Sequence, residues 1–236
     1  MRKYRTLLFD VDDTLLDFGA AEQASLRMLL ESQGIQYSKD NHNKYSQINR
    51  RLWADFEDGK ITREELFSTR FSLLFNELGK SVDGIQLEEH YRRGLGEGHQ
   101  LIAGAMELIH ELQADFNLYI VTNGISKTQD KRLKLSGLYS SFKAIFVSED
   151  TGYQKPMKEF FDFVFERIPN INLNETLIIG DSLSADIKGG ILAGIDTCWV
   201  NLKGIENTTE WKPTYEIKSL DELFHILKVS RKQETV

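Results

Sequence analysis

The chain has 236 residues, 41% of them apolar and 28% charged, a balance that fits one large or two modest globular domains. A net charge of −7 argues against a nucleic-acid polymer as partner, and no apolar run approaches the ~20 residues of a membrane span. Cys198 is the lone cysteine, which excludes a disulfide framework, and the five histidines show no metal-ligand spacing. The N-terminus runs straight into a strand without a leader-like segment, so a cytoplasmic protein is expected.

Thr6 to Phe9 is an apolar run suited to a buried parallel strand. It stops in Asp10, Asp12 and Asp13. In an extended stretch Asp10 and Asp12 point the same way, and two carboxylates side by side repel each other. Such a pair needs a cation, or one member held protonated. A hard divalent ion, Mg²⁺ first, meets the first need. A nucleophile beside a general acid/base meets the second. A lone Asp-x-Asp is more often a helix cap or a turn, so the rest of the chain must decide.

From Phe18 to about Gly98 the pattern predicts helices alone. Phe18 to Ser32 has one apolar face through Leu26, Leu29 and Leu30. Asn41 to Glu57 carries Tyr45, Ile48, Leu52, Trp53 and Phe56 at helical spacing. Thr62 with Glu65 is a capping box opening a third helix through Phe67 and Phe71 to Gly79. Trp53, Phe56, Phe67 and Phe71 read as core of this block. A fourth helix covers about Ile85 to Leu95, and Gly94, Gly96 and Gly98 read as a hinge or linker.

An α/β rhythm then returns. Helix Ala105–Asp115 precedes strand Leu118–Val121, which ends in Thr122-Asn123-Gly124. Ser126 with Gln129 reads as a second capping box, on a helix closed by Gly137. Strand Ala144–Val147 leads into a loop from Glu149 to Pro156. The helix from Lys158 is apolar nearly all round and is expected to be well buried. Strand Thr176–Ile179 ends in Gly180-Asp181-Ser182. A helix holding Ala185, Ile187 and Ile191, a strand Thr197–Val200 and a helix Ser219–Lys228 follow. Ser230 to Val236 is polar and is expected to fray. Alternating strands and helices predict an α/β fold, a Rossmann-like doubly wound parallel sheet, with residues 1–17 and 100–236 as its core. Residues 18–99 form an inserted helical subdomain, placed to act as a cap that excludes water.

Chemistry-bearing residues sit after four strands: Asp10 and Asp12, then Thr122 and Asn123, then Lys155, then Asp181 and Asp186. Loops at the carboxyl edge of such a sheet converge. Two carboxylates, a hydroxyl, an ammonium and further carboxylates for a cation suit phosphoryl transfer. Taken singly, Lys155 would be a surface lysine, Thr122 a turn residue and Asp186 a helix-dipole partner.

In order, Asp10-x-Asp12-x-Thr14, Thr122, Lys155-Pro156 and Gly180-Asp181-Ser182-x-x-x-Asp186 resemble the four motifs of the haloacid dehalogenase-like hydrolase superfamily. The helical insert is similar to its type-1 cap. Val121-Thr122-Asn123-Gly124 and Gly180-Asp181-Ser182-Leu183-Ser184-Ala185-Asp186 are similar to a pyrimidine 5′-nucleotidase-like subgroup. The resemblance implies an Mg²⁺-dependent phosphomonoesterase working through an aspartyl-phosphate on a small phosphorylated metabolite, with nucleoside 5′-monophosphates leading. It implies Asp10 as nucleophile, Asp12 as general acid/base, and Lys155 as charge compensator. Thr122 and Asn123 would bind the phosphoryl group, with Phe18 a substrate-facing aromatic. Mg²⁺ would lie on Asp10, the Asp12 carbonyl and Asp181, with Asp186 behind them. A monomer or homodimer without macromolecular partners is expected. Rival readings are phosphatases of sugar phosphates or phosphoglycolate, a phosphomutase, a dehalogenase and a phosphoaspartate signalling module. Dehalogenases of the superfamily lack the second aspartate, and a signalling module lacks the helical insert.

Overall fold

The computed structural model describes residues 3–229. The fraying expected of Ser230–Val236 lies outside them. Strand β1 (Thr6–Phe9) is followed by four helices, α1 (Phe18–Ser32), α2 (Lys39–Glu57), α3 (Arg63–Glu77) and α4 (Gly84–Leu95). Then come α5 (Ala105–Leu112), β2 (Asn117–Thr122), α6 (Ser126–Leu135), β3 (Ala144–Val147), α7 (Ser148–Thr151) and α8 (Lys158–Arg167). The chain continues with β4 (Thr176–Gly180), a π-helical turn (Leu183–Ile187), α9 (Lys188–Leu192), β5 (Asp196–Val200), β6 (Tyr215–Ile217) and α10 (Glu222–Leu227).

The strands form one parallel sheet in the order β3-β2-β1-β4-β5-β6. Winding reverses between β1 and β4, and in such sheets the crevice opens at the carboxyl edge there. Phe9 is in register with Ile120 on one side and Ile179 on the other, and the Asp10 N–H extends the ladder to the Ile179 carbonyl at 2.9 Å. The aspartates are therefore anchored to the central strand. Alternation along β1 sends Leu7 and Phe9 to a core with α5 and α10, and Leu8 to a core with Phe160, Phe161 and Val164 of α8. Each fully buried side chain of this kind contributes about 1.5–3 kcal/mol.

By contacts the chain divides into two compact units. One holds the chain up to Asp17 and from His99 onward, and the other is Phe18–Gly98. In the first, the segment after β1 pairs with the segment before α5. Asp17 N–H bonds the Gln100 carbonyl and Ile102 N–H the Leu15 carbonyl, each at 2.9 Å.

In the helical unit the Thr62–Glu65 capping box forms as expected. Tyr45 stacks on Phe71 at 5.6 Å, and the buried Arg70 guanidinium grips both Glu88 oxygens at 2.6 Å. Phe56, Phe67 and Phe71 are buried here and Trp53 half-buried, as the spacing predicts. Two of the glycines read as a hinge or linker also serve packing. A Cβ at Gly94 would overlap Ser25 and one at Gly98 would overlap Ala21, so Gly94 and Gly98 let α4 and the turn after it approach α1 closely.

Four expectations are corrected. The loop from Glu149 holds most of a one-turn helix, α7, too short to show a periodicity. Helix α8 buries Phe160, Phe161 and Val164 but leaves Phe163 and Phe165 half-exposed, with Arg167 lying over the Phe163 ring. Strand β6 gives no sequence signal because only Ile217 of its three residues is buried. Ser126 and Gln129 do not form a capping box. Helix α6 has Ile125 at its N-cap without a side-chain cap, and both polar side chains are bound elsewhere.

Candidate active site

The segment after β1 folds into a tight turn. N–H groups of Leu15 and Leu16 both reach the Val11 carbonyl at 2.9 Å, and Asp13 takes a left-handed φ of 53°. Asp13 adopts this more readily than a branched residue would, and its carboxylate accepts from Lys203 at 3.0 Å. The turn fixes Asp10 and Asp12 at the end of the central strand.

Asp10 is buried, and its Oδ1 accepts from Lys155 Nζ at 2.8 Å. The same ammonium donates to Asp186 Oδ1 at 2.6 Å and to the Val121 carbonyl at 2.7 Å. All three of its protons are thereby used. Asp186 Oδ2 accepts from the Ser182 N–H at 3.0 Å, which folds the turn after β4 back on itself. Gly180 is required there because a Cβ would overlap the Asp186 carboxylate. The Trp199 indole, buried on β5, donates to the Asp181 carbonyl at 2.8 Å.

Carboxylate oxygens of Asp10, Asp181 and Asp186 all lie within 4.8 Å of one another. Lys155 bonds Asp10 and Asp186, so its single positive charge is set against the two carboxylates it touches and the third, Asp181, beside them. Burial first, then repulsion from Asp186 and Asp12, push the Asp10 carboxyl up to about 7 against the pull of Lys155. Burial and the neighbouring carboxylates, Asp10 foremost, likewise hold Asp181 well above the usual carboxylate range. Burial opposes the charge on Lys155, but Asp10 and Asp186 outweigh it and raise its affinity for the proton. Oxygen donors with an excess of negative charge fit a hard divalent cation.

Thr122 is buried at the end of β2, and its Oγ1 accepts from the Gly124 N–H at 3.1 Å and from Gln129 Nε2 at 3.0 Å. Two acceptor bonds leave its own hydrogen to be given away, so this hydroxyl is set up as a donor. The Asn123 side chain bonds both backbone groups of Lys155: Oδ1 accepts from its N–H at 2.8 Å and Nδ2 donates to its carbonyl at 2.9 Å. This ties the Lys155 loop, with its cis Lys155–Pro156 peptide, to the end of β2. Asp12 is about one-third exposed. Its Oδ1 is paired with Arg132 Nη1, and its Oδ2 accepts from Gln129 Nε2 at 2.8 Å. Phe18 opens α1 in the helical unit.

The structure thus brings Asp10, Lys155, Asp181 and Asp186 into one cluster, and joins Asp12 to Thr122 through Gln129. Gln129, Arg132 and Trp199 were not foreseen. Gln129 and Arg132 lie on a helix so rich in charge that its inward polar face does not stand out. Trp199 reads as an ordinary apolar strand residue.

The model of the haloacid dehalogenase-like hydrolases matches residues 7–200. The chain belongs to that family. It is therefore an enzyme, a hydrolase, and Asp10, Thr122, Lys155 and Asp181 all fall within the matched span. A crystal structure of the HAD-hydrolase YfnB of Bacillus subtilis bound to magnesium, described as revealing interdomain movement, is 60% identical to this chain. It covers 97% of this chain and 100% of that one with a TM-score of 0.93. The pyrimidine 5′-nucleotidase PynA of Streptococcus pneumoniae is 43% identical over 95% of each chain. The pyrimidine 5′-nucleotidase YjjG of Escherichia coli is 31% identical over 95% of this chain and 98% of its own. No helix among the described residues is long and apolar enough to cross a membrane.

Proposed function

We propose that this hydrolase is a Mg²⁺-dependent phosphomonoesterase that acts through an aspartyl-phosphate on nucleoside 5′-monophosphates, pyrimidine ones first. The observation that carries the reading is the cluster of Asp10 against Lys155, with Asp181 and Asp186 beside it and Asp12 two residues on. Similarity to two pyrimidine 5′-nucleotidases over nearly full length supports the substrate class.

In this reading an Asp10 oxygen attacks phosphorus while the P–O bond to the leaving oxygen breaks. The Asp12 carboxyl gives its proton to that oxygen, then takes one from the water that cleaves the phosphoaspartate and releases phosphate. Thr122 donates its hydroxyl hydrogen to a phosphoryl oxygen. Lys155 acts by its charge, since its three protons are already engaged. Asp10, Asp181 and the Asp12 carbonyl are assigned as the residues that would hold Mg²⁺. The ion would supply charge neutralisation for the phosphoryl group and the nucleophile. Asp186 orients this set through Lys155 and Ser182. The charge of the ion would also offset the burial and the repulsion from Asp186 and Asp12 that raise the proton affinity of Asp10, the group that must attack. The helical unit is assigned the choice of substrate, with Phe18 a candidate contact that Phe18→Ala would report as a raised KM. Action on a small metabolite needs no macromolecular partner.

The test is phosphate release with Mg²⁺ across pyrimidine and purine 5′-monophosphates, sugar phosphates and phosphoglycolate. Asp10→Asn serves as the blank, and EDTA tests the metal. Highest kcat/KM on UMP or CMP, lost in Asp10→Asn and in EDTA, is the expected result. A preference for sugar or two-carbon phosphates would overturn the substrate and keep the chemistry. Full activity in EDTA, or in Asp10→Asn, would overturn the metal or the nucleophile assignment.

A further inference from the structure

Asp12 is held by two residues of α6 that no motif assigns. Arg132 is buried to 1% exposure, although arginine is rarely so unless paired. Its Nη1 meets Asp12 Oδ1 and donates to Gln129 Oε1 at 3.0 Å. Gln129, also buried, divides its amide protons between Asp12 Oδ2 at 2.8 Å and Thr122 Oγ1 at 3.0 Å. Both oxygens of Asp12 are thus gripped from behind, while the carboxylate itself keeps about 30% exposure. The amide of Gln129 cannot be reversed without placing its carbonyl against Asp12 and its NH₂ against the Arg132 donor. The network therefore has one orientation. Gly124 makes room for it, because a Cβ there would lie 2.6–2.8 Å from the Gln129 side chain.

We propose that Gln129 and Arg132 are positioning residues that aim the Asp12 carboxyl at the leaving oxygen and, through Gln129, register it with the Thr122 hydroxyl. The inference rests on the phosphomonoesterase reading above. Two groups that must act on one phosphoryl ester are joined by a single side chain, so an error in α6 is transmitted to both. A carboxylate oxygen has lone pairs to spare after one hydrogen bond, so the grip leaves Asp12 able to hand over and take up a proton on its open side. A misplacement of about 1 Å at such a group can cost on the order of 10²-fold in rate.

The two ends of the network make separable demands. A primary alkoxide leaves only with a proton, whereas a p-nitrophenolate leaves without one. Loss of the Asp12 aim should therefore slow a nucleotide and spare p-nitrophenyl phosphate. The experiment compares kcat/KM for UMP and for p-nitrophenyl phosphate in the full-length Mg²⁺ enzyme and in Arg132→Met, Arg132→Lys and Gln129→Ala. The expected result is a loss of about 10- to 100-fold on UMP in Arg132→Met, with less than about threefold on p-nitrophenyl phosphate. Arg132→Lys should fall between, since it keeps the charge and loses the planar fork. Gln129→Ala also frees the Thr122 hydroxyl, so it should lower p-nitrophenyl phosphate turnover somewhat and UMP turnover further, and it serves if Arg132→Met does not fold. Equal losses on both esters would mean that α6 only supports the fold, and faster UMP turnover would mean that the grip restrains Asp12; either overturns the inference alone. A wild type inactive on both esters overturns the phosphomonoesterase reading and this inference with it.

Discussion

Lys155 and Asp186 form a buried ion pair at 2.6 Å, each side chain no more than 2% exposed. The pair explains why an aspartate four residues past the β4 turn belongs to the cluster. Asp186 takes one proton of Lys155 and pins the Ser182 N–H, so it fixes both the ammonium and the turn that carries Asp181. Asp186→Asn should keep the Ser182 bond only in part and should lower kcat/KM by about 10- to 100-fold, the usual cost of removing an outer partner of a metal site. Lys155→Met should be worse for the fold, because it strands buried carboxylates. A loss on the order of 3–5 kcal/mol is expected from urea unfolding without metal. If Lys155→Met unfolds at the wild-type midpoint, the ammonium is not what holds these carboxylates together.

Much of the fold was legible because its strands are short apolar runs closed by polar turns, and every strand that carries a candidate site residue is of that kind. Strand β6 was not, since an edge strand with one buried residue has no pattern to show. The helix caps divide in the same way. Thr62 and Glu65 follow the local rule because, among the described residues, their side chains bond each other's backbone and no tertiary partner competes. Ser126 and Gln129 have the same spacing, but Ser126 bonds Asp150 at 2.6 Å and Gln129 is taken by Asp12 and Thr122. A tertiary partner won over a local one, and this is why the grip on Asp12 could not be read from α6 alone. Gly94 in α4 and Gly98 just after it carry a similar ambiguity, because chain breaking and close helix packing both select glycine.

The Trp199 indole reaches the Asp181 carbonyl from the next strand. It fixes the backbone of an assigned Mg²⁺ holder without touching its carboxylate. Trp199→Phe keeps most of the buried volume and removes only the N–H, leaving that carbonyl without this donor at a cost of about 1–3 kcal/mol. Half-maximal activation by Mg²⁺ should shift about 10-fold upward while kcat at saturating Mg²⁺ stays within a few-fold. An unchanged Mg²⁺ midpoint would show that the turn after β4 holds Asp181 by itself.

At the opposite edge of the sheet, Asp196 accepts from Lys3 Nζ and from the Tyr4 hydroxyl, each at 2.5 Å. Burial pushes its carboxyl upward, but the Lys3 and Tyr4 bonds outweigh this and hold it below the usual carboxylate range. A carboxyl depressed in the folded state stabilises above its ordinary value of about 3.9, and that contribution is lost as pH falls through the folded value. Asp196→Asn should therefore lower Tm by a few degrees at pH 7, and the gap to wild type should close below about pH 4. A gap that stays constant down to pH 3 would assign the loss to packing and not to charge.

The Arg70–Glu88 pair is the electrostatic centre of the helical unit. Glu88 is shared: Arg70 grips both of its oxygens and Arg92 adds a bond to Oε1, each at 2.6 Å. Arg70 further donates to Tyr45 Oη at 3.3 Å and Asn49 Oδ1 at 3.1 Å, and lies over the rings of Phe67, Phe71 and Tyr91. It therefore ties α3 to α2 and α4 at once. Burying such an ion pair returns little net stability, but removing one partner leaves a charge stranded in an apolar surround, at about 3–5 kcal/mol. Glu88→Gln strands Arg70, and Arg70→Leu strands Glu88 less, because Arg92 remains beside it. Thermal unfolding should rank wild type above Arg70→Leu and Arg70→Leu above Glu88→Gln. The double variant Arg70→Leu/Glu88→Gln should recover part of the loss, since neither charge of the pair is then buried against a missing partner. The chemical core, carried by the other unit, should be spared: p-nitrophenyl phosphate turnover below the transition should fall less than turnover of a nucleotide. If the double variant is no better than the sum of its parts, the pair is not coupled, and the aromatic rings rather than the charges hold α3 in place.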